Sequence, residues 1–288
     1  MNATRNILII TVICALAIPS FADWFPDNAA EPGESTNHKM HWPQLPDPQG
    51  YDVNFEFSKV LADDWLCTQT GPVDDIHFWM STKFDNDPQP LMGDIHVSIH
   101  KDVPAGDDPD PNIKWSHPGE RLWHRDFTPA EYDVKPWPES GQQLFYDPNT
   151  NEVYPNPHFR TWQVNIKGIT DNGDFFKQTE GEIYWLDLSV LTTNPSTDPQ
   201  LGWKTTFKTK TKPGGGWNDD AVWGHLDDAH DLVVPPVGAV PPAWSELRDP
   251  LDPAISLDMA FVITPEPATM ALLAIGGLVT LVRRRRRR

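Results

Sequence analysis

Proline decides what this chain can become. Thirty of its 288 residues are Pro, about twice the roughly 5% of average usage. They recur throughout, and each removes a backbone donor and clashes with the preceding turn of a helix. Long helices are therefore excluded between the termini. Short strands joined by turns are not, and the hydrophobic pattern asks for them. Ile95, Val97 and Ile99 alternate with His96, Ser98 and His100, and Ile76, Phe78 and Met80 with His77, Trp79 and Ser81. Trp162, Val164 and Ile166 repeat the pattern against Gln163, Asn165 and Lys167, as do Leu257, Met259, Phe261 and Ile263 against Ser256, Asp258 and Ala260. Period two is the mark of a strand with one buried face. Further strands are expected over residues 51–58, 120–127, 182–190 and 204–210, with turns over 106–112, 147–157, 194–199 and 212–218. The reading is all-β: an antiparallel β-sandwich, jelly-roll-like or immunoglobulin-like. No internal repeat divides it, so one domain is expected. Hydrophobic residues at 39%, with 13 Trp, can build its core and exclude general disorder.

The two ends read differently. Arg5, an apolar run over residues 7–19, and small residues at Ser20 and Ala22 form a secretory signal peptide over 1–22, cut by signal peptidase after Ala22. At the other end, residues 268–282 are apolar and six arginines, 283–288, close the sequence. Fifteen residues of helix reach about 22 Å, short of a roughly 30 Å hydrocarbon core. Arginine side chains that snorkel to the headgroups make up part of the difference. One C-terminal transmembrane helix is expected, its arginines on the cytoplasmic side and everything upstream outside.

Pro265, Glu266 and Pro267 stand just before that helix. Pro-Glu-Pro, an apolar helix and an arginine cluster in this order resemble the PEP-CTERM sorting signal of Gram-negative bacteria, over residues 264–288. The resemblance implies recognition by an exosortase-type membrane protease, cleavage near Pro265-Glu266-Pro267, and delivery to the cell surface or extracellular matrix. In that family, sorting often accompanies exopolysaccharide production. Between the ends, Leu61-Ala62-Asp63-Asp64-Trp65-Leu66-Cys67, Thr70-Gly71-Pro72-Val73-Asp74-Asp75-Ile76-His77 and Ser98-Ile99-His100-Lys101-Asp102-Val103-Pro104 are similar to an uncharacterised domain of secreted PEP-CTERM-type proteins. So are Ser116-His117-Pro118-Gly119-Glu120, Trp217-Asn218-Asp219-Asp220-Ala221-Val222-Trp223 and Leu257-Asp258-Met259-Ala260-Phe261. That similarity implies boundaries near 40–263 and carries no activity. The expected organisation is a signal peptide over 1–22, an ectodomain over 23–263, with irregular arms or covering loops at 23–41 and 235–253, and a sorting signal over 264–288.

The formal charge is −18. Setting aside Arg5 and the C-terminal arginines leaves the ectodomain more acidic still, which excludes nucleic acid and anionic lipid surfaces as its partners. Cys14 departs with the signal peptide, so Cys67 has no partner for an intramolecular disulfide; an inert buried thiol is expected.

Candidate chemistry is sparse. His96 and His100 stand four residues apart, about 13 Å along a strand, too far to share one metal at about 2.1 Å; they read as solvent-face histidines. Adjacent carboxylates at Asp63-Asp64, Asp74-Asp75, Asp219-Asp220 and Asp227-Asp228 point to opposite faces if they lie in strands. A glycoside hydrolase would need carboxylates from different strands about 5–10 Å apart. Asp108, Asp110 and Asn112 match the first ligand positions of a calcium loop, but Ile113 stands where the tight-turn Gly belongs and Gly119 where the Glu belongs. That excludes an EF-hand and leaves an irregular calcium loop as the sole cofactor candidate. Gly-x-Ser-x-Gly, His-Glu-x-x-His and Gly-x-Gly-x-x-Gly are absent, and Lys212-Pro213-Gly214-Gly215-Gly216 lacks a P-loop ending. Exposed tryptophans stack on sugar rings, which makes Trp79, Trp185, Trp203, Trp217 and Trp223 the candidate contacts of a carbohydrate-binding module. The competing reading is that they fill the core. Three functions follow, in order: a non-enzymatic surface or matrix protein, a carbohydrate-binding module at the envelope, and a secreted glycoside hydrolase.

Overall fold

The computed structural model describes residues 40–194, 198, 200–207, 221–239 and 242–265. The signal peptide, Trp217, Glu266, Pro267 and the apolar tail lie outside the described residues. Strands dominate, as the prolines and the period-two pattern require. Among the described residues, one short 3-10 turn, Ile169–Asn172, is the helical element, and no helix is long and apolar enough to cross a membrane.

Two sheets hold most of the strands. The eight-stranded sheet runs, in spatial order, Tyr132–Pro136, Trp162–Ile166, Asp75–Thr82, Leu201–Lys204, Tyr51–Asn54, Gln143–Asp147 and Glu152–His158, with Phe261–Thr264 also pairing onto Asp75–Thr82. The six-stranded sheet runs Ser245–Glu246, Val222–His225, Lys59–Leu66, Ile183–Thr192, Met92–Val103 and His117–Phe127. Pairing is antiparallel almost everywhere. The exception between strands is Tyr51–Asn54 on Gln143–Asp147, where Tyr51 to Val53 run parallel to Leu144 to Tyr146.

The predicted alternation sets the inner faces. Ile95, Val97, Ile99, Leu186 and Leu188 from one sheet share a core with Ile76, Phe78, Met80, Val164 and Ile166 from the other. At its centre Phe78 meets Phe55 and Trp203 edge-on at 6.1 Å between ring centroids. Edge-to-face pairs at this spacing contribute about 0.5–1.5 kcal/mol each beyond area burial.

The strand expected over 204–210 lies earlier, at Leu201–Lys204, and two further expectations fail for identifiable reasons. Residues 147–157 were expected as a turn because of their prolines; they form a hairpin of Gln143–Asp147 with Glu152–His158, Tyr146 opposite Val153. Glu152–His158 is the edge strand of its sheet, so its prolines cost no ladder bond on the open side. The run from Leu257 to Ile263 yields a strand only over Phe261–Thr264. Upstream of it, Met259 makes a single bridge to Thr205.

The outward faces depart most from a simple sandwich. Lys204, fully buried, donates to Gly50 O at 2.9 Å and Gln143 Oε1 at 2.5 Å, and lies 3.5 Å from Asp52 Oδ2. His158 Nε2 meets the same carboxylate oxygen at 2.6 Å. Burial pushes the Lys204 ammonium below its usual range, against the pull of Asp52.

Candidate functional site

The densest cluster of chemically capable side chains lies on the outward face of the six-stranded sheet. His96, Ser98 and His100 share that face because Ile95, Val97 and Ile99 turn inward. Strand register then brings partners to them. Asp126 pairs opposite His96 and His124 opposite Ser98, while Asp187 pairs opposite Ser98 from the other side. The segment after Val222–His225 folds across this face, setting the His230 ring 4.7 Å from that of His96 and Trp244 6.5 Å from His100.

His96 and His100 are consequently buried, at 3% and 8% exposure. This corrects the expectation of solvent-face histidines: alternation shows which residues turn from the core, and the covering segment removes the solvent. His100 Nε2 contacts Asp187 Oδ2 at 2.7 Å, and its Nδ1 donates to Gly119 O at 3.1 Å. Burial alone would lower the His100 pKa, but the Asp187 carboxylate outweighs it and raises the value. Burial likewise acts to raise Asp187, and His100 reverses it to a net lowering. The two form a charge pair. His124, by contrast, is lowered by burial and by Arg121.

His96 makes two contacts along its ring axis. Nδ1 lies 2.7 Å from Asp126 Oδ1 and Nε2 lies 2.9 Å from Ser98 Oγ. Serine, histidine and aspartate in this sequence are the contacts of a hydrolytic triad. Ser98, however, is 1% exposed and its backbone N–H is tied to Asp187 Oδ1. A carbonyl carbon has no approach to a hydroxyl buried so deeply.

The residues singled out from sequence fall elsewhere. Trp79, Trp185 and Trp203 are fully buried and Trp223 is 9% exposed, which removes these four as sugar-stacking surfaces. Trp203 sits in the main core and donates its indole N–H to Ala260 O at 2.9 Å. Trp185 packs in a smaller cluster with Val60, Ala62 and Trp244 and donates to Asp102 Oδ1 at 2.8 Å. Trp79 meets Trp137 edge-on at 5.2 Å. Large aromatics satisfy both faces of the sheets, and no sequence pattern separates that role from a binding platform.

Asp108, Asp110 and Asn112 hold a loop together. Asp110 Oδ1 accepts from the backbone and side chain of Asn112, Oδ2 accepts from Gly238 N at 2.6 Å, and Asp108 Oδ2 meets His117 Nε2 at 2.9 Å. The carboxylate pairs are also occupied. Asp63, fully buried, accepts from Met259 N and Asp64 N; burial and then the Asp258 charge push its pKa well up. Asp74 accepts from Thr170, Asp75 from Gly168 N at 2.9 Å, and Asp227 from Ala229 N and Asp231 N. Asp219 and Asp220 lie outside the described residues. Cys67 is 1% exposed, donates its thiol to Gln69 O at 3.2 Å, and is pushed up in pKa by burial.

Sequence reasoning missed Asp126 and His230. The one available signal was that residues 95, 97 and 99 are apolar and that Trp123 and Phe127 are too, although Arg125 interrupts the second alternation; nothing local announces that residue 230 returns to residue 96.

The model of the domain of unknown function DUF7901 matches residues 40–264, the whole span of the two sheets. The chain belongs to this family. A second match, the PEP-CTERM protein-sorting motif, covers residues 264–287 and begins where the DUF7901 domain ends. No curated protein matches the chain, and no solved structure does.

Proposed function

We propose that this DUF7901 protein is a non-enzymatic surface or matrix protein. It is exported by its N-terminal segment, held in the inner membrane by its tail, and released when an exosortase-type protease cuts near Pro265-Glu266-Pro267. The observation that carries the reading is the junction. Among the described residues Phe261–Thr264 is the last strand, locked onto Asp75–Thr82 with Thr264 opposite Asp75, and the sorting motif starts at residue 264. Cutting after the strand leaves every described ladder intact and frees a complete domain.

The buried Ser98 and the hydrogen-bonded carboxylates support a scaffold rather than a hydrolase, and the burial of four of the five candidate tryptophans weighs against the carbohydrate-binding reading. An exopolysaccharide matrix is the setting the sorting system favours. The test replaces Pro265, Glu266 and Pro267 by alanine in a host carrying the matching protease. Export should persist, and the protein should stay in the inner-membrane fraction. Pulling six arginines through the bilayer costs at least about 2.5 kcal/mol each on insertion scales, so the tail does not slip out uncut. Equal processing and release of both forms would sink the proposal.

A further inference from the structure

We propose that His96, Asp126 and His230 form a binding site for a first-row transition-metal dication of the zinc type, on the outward face of the six-stranded sheet. One ligand atom from each residue lies within 4.8 Å of the others. His96 Nδ1 and His230 Nδ1 converge on the same atom, Asp126 Oδ1, at 2.7 and 3.3 Å. Tetrahedral ligands held about 2.0–2.1 Å from zinc stand about 3.3 Å apart. The His230 contact already has that spacing. The His96 contact, at 2.7 Å, needs to open by about 0.6 Å to reach that tetrahedral spacing, and Asp126 is exposed near the end of its strand, where its side chain has room to give it.

The surroundings are those of a supported ligand set. A histidine that binds metal through one ring nitrogen is oriented by a hydrogen bond at the other; His96 Nε2 has Ser98 Oγ at 2.9 Å, and Ser98 is fixed through its N–H to Asp187. His230 is held more unusually. It adopts φ +57, a left-handed conformation uncommon for residues other than glycine. A turn imposes it: Asp227 O accepts from His230 N, and Asp227 Oδ1 from Ala229 N and Asp231 N. Arg121 clamps the far side, donating to His230 O at 3.1 Å and to Asp231 Oδ1 at 2.8 Å. Phe57 packs against the His230 ring at 5.4 Å. Five hydrogen bonds and one ring contact thus hold this imidazole beside Asp126. The Asp231 carboxylate offsets the Arg121 charge and Asp187 is paired with His100, which leaves the Asp126 carboxylate to face the two imidazoles.

The donor set selects the ion. Two imidazoles and one carboxylate suit zinc, copper, nickel or iron and disfavour calcium and magnesium, which take oxygen ligands. Three protein ligands leave one tetrahedral position for water. This site shares no residue with the sorting signal or with the loop of Asp108, Asp110 and Asn112.

The experiment uses the untagged full chain in detergent, stripped with chelator, and titrated with zinc chloride by calorimetry. One equivalent should bind, and Asp126→Asn and His230→Ala should each weaken it by at least roughly 10–100-fold, with His225→Gln unchanged as the control. Both tested side chains reach the surface, so the variants should keep the wild-type circular dichroism. Cobalt chloride gives the second readout: a strong visible absorption of a tetrahedral nitrogen–oxygen site, displaced by zinc and untouched by calcium. No zinc binding, equal binding in wild type and both variants, loss of binding in the His225 control, or only the weak spectrum of six-coordinate cobalt would each overturn the assignment.

Discussion

Replacing Asp75 by asparagine should change how stability responds to pH while leaving the fold in place. Asp75 begins the strand Asp75–Thr82 and faces Thr264, the residue at which the sorting motif begins. Its Oδ1 accepts from Gly168 N at 2.9 Å and its Oδ2 from Thr264 Oγ1 at 3.5 Å. Burial first, then the neighbouring Asp74 charge, raise its pKa from 3.8 to about 6; the Gly168 N–H and Lys167 only partly oppose them. A group whose folded pKa is raised holds its proton longer in the native state than in the unfolded one. Its contribution is therefore fully present below about pH 4 and is lost as pH rises through about 6. At 1.36 kcal/mol per pH unit, the interval from 3.8 to about 6 corresponds to at most about 3 kcal/mol. Asp75 is only half-buried, so about 1–3 kcal/mol is expected. Asparagine keeps the acceptor for Gly168 and carries no charge at any pH. Relative to wild type, Asp75→Asn should gain that amount between pH 4 and pH 7. Urea unfolding followed by tryptophan fluorescence at both pH values gives the difference, and other titrating groups, Asp63 among them, cancel between the two proteins. Parallel pH profiles would refute the reasoning, because they would mean that Asp75 ionises as freely in the folded chain as in water.

Cys67 should resist iodoacetamide in the folded protein and react only after denaturation, and dithiothreitol should leave Tm unchanged; rapid labelling or a fall of several degrees would show an exposed or bridged thiol. Trp203→Ala should cost about 3–5 kcal/mol of unfolding free energy, since its ring fills the core beside Phe78 and Phe261. A stable variant that instead loses polysaccharide retention would restore the binding reading.

How far the sequence reached is clearest in single strands. The alternation from Ile95 to His100 gave the strand and its inner face correctly, because period two is a local consequence of the pleat. It gave nothing about the outer face, because covering that face is a tertiary event: Leu226, His230 and Trp244 arrive there from far along the sequence and pack against His96, His100 and Trp185. The prolines excluded helices for a sound reason and misplaced Glu152–His158 for a related one, since an edge strand tolerates what a central strand cannot. The tryptophans were illegible because burial and sugar stacking ask for the same side chain. The sorting motif was legible in full, being a linear signal that needs no fold to be read.

The central claim is that the folded domain is cut free at its C-terminal edge, and the intact mass of the surface-released protein tests it most directly. The account predicts a mature chain that starts at Asp23 and ends close to Pro265-Glu266-Pro267, lacking the apolar segment and all six terminal arginines. Recovery of surface protein whose mass still includes residues 268–288 would contradict it.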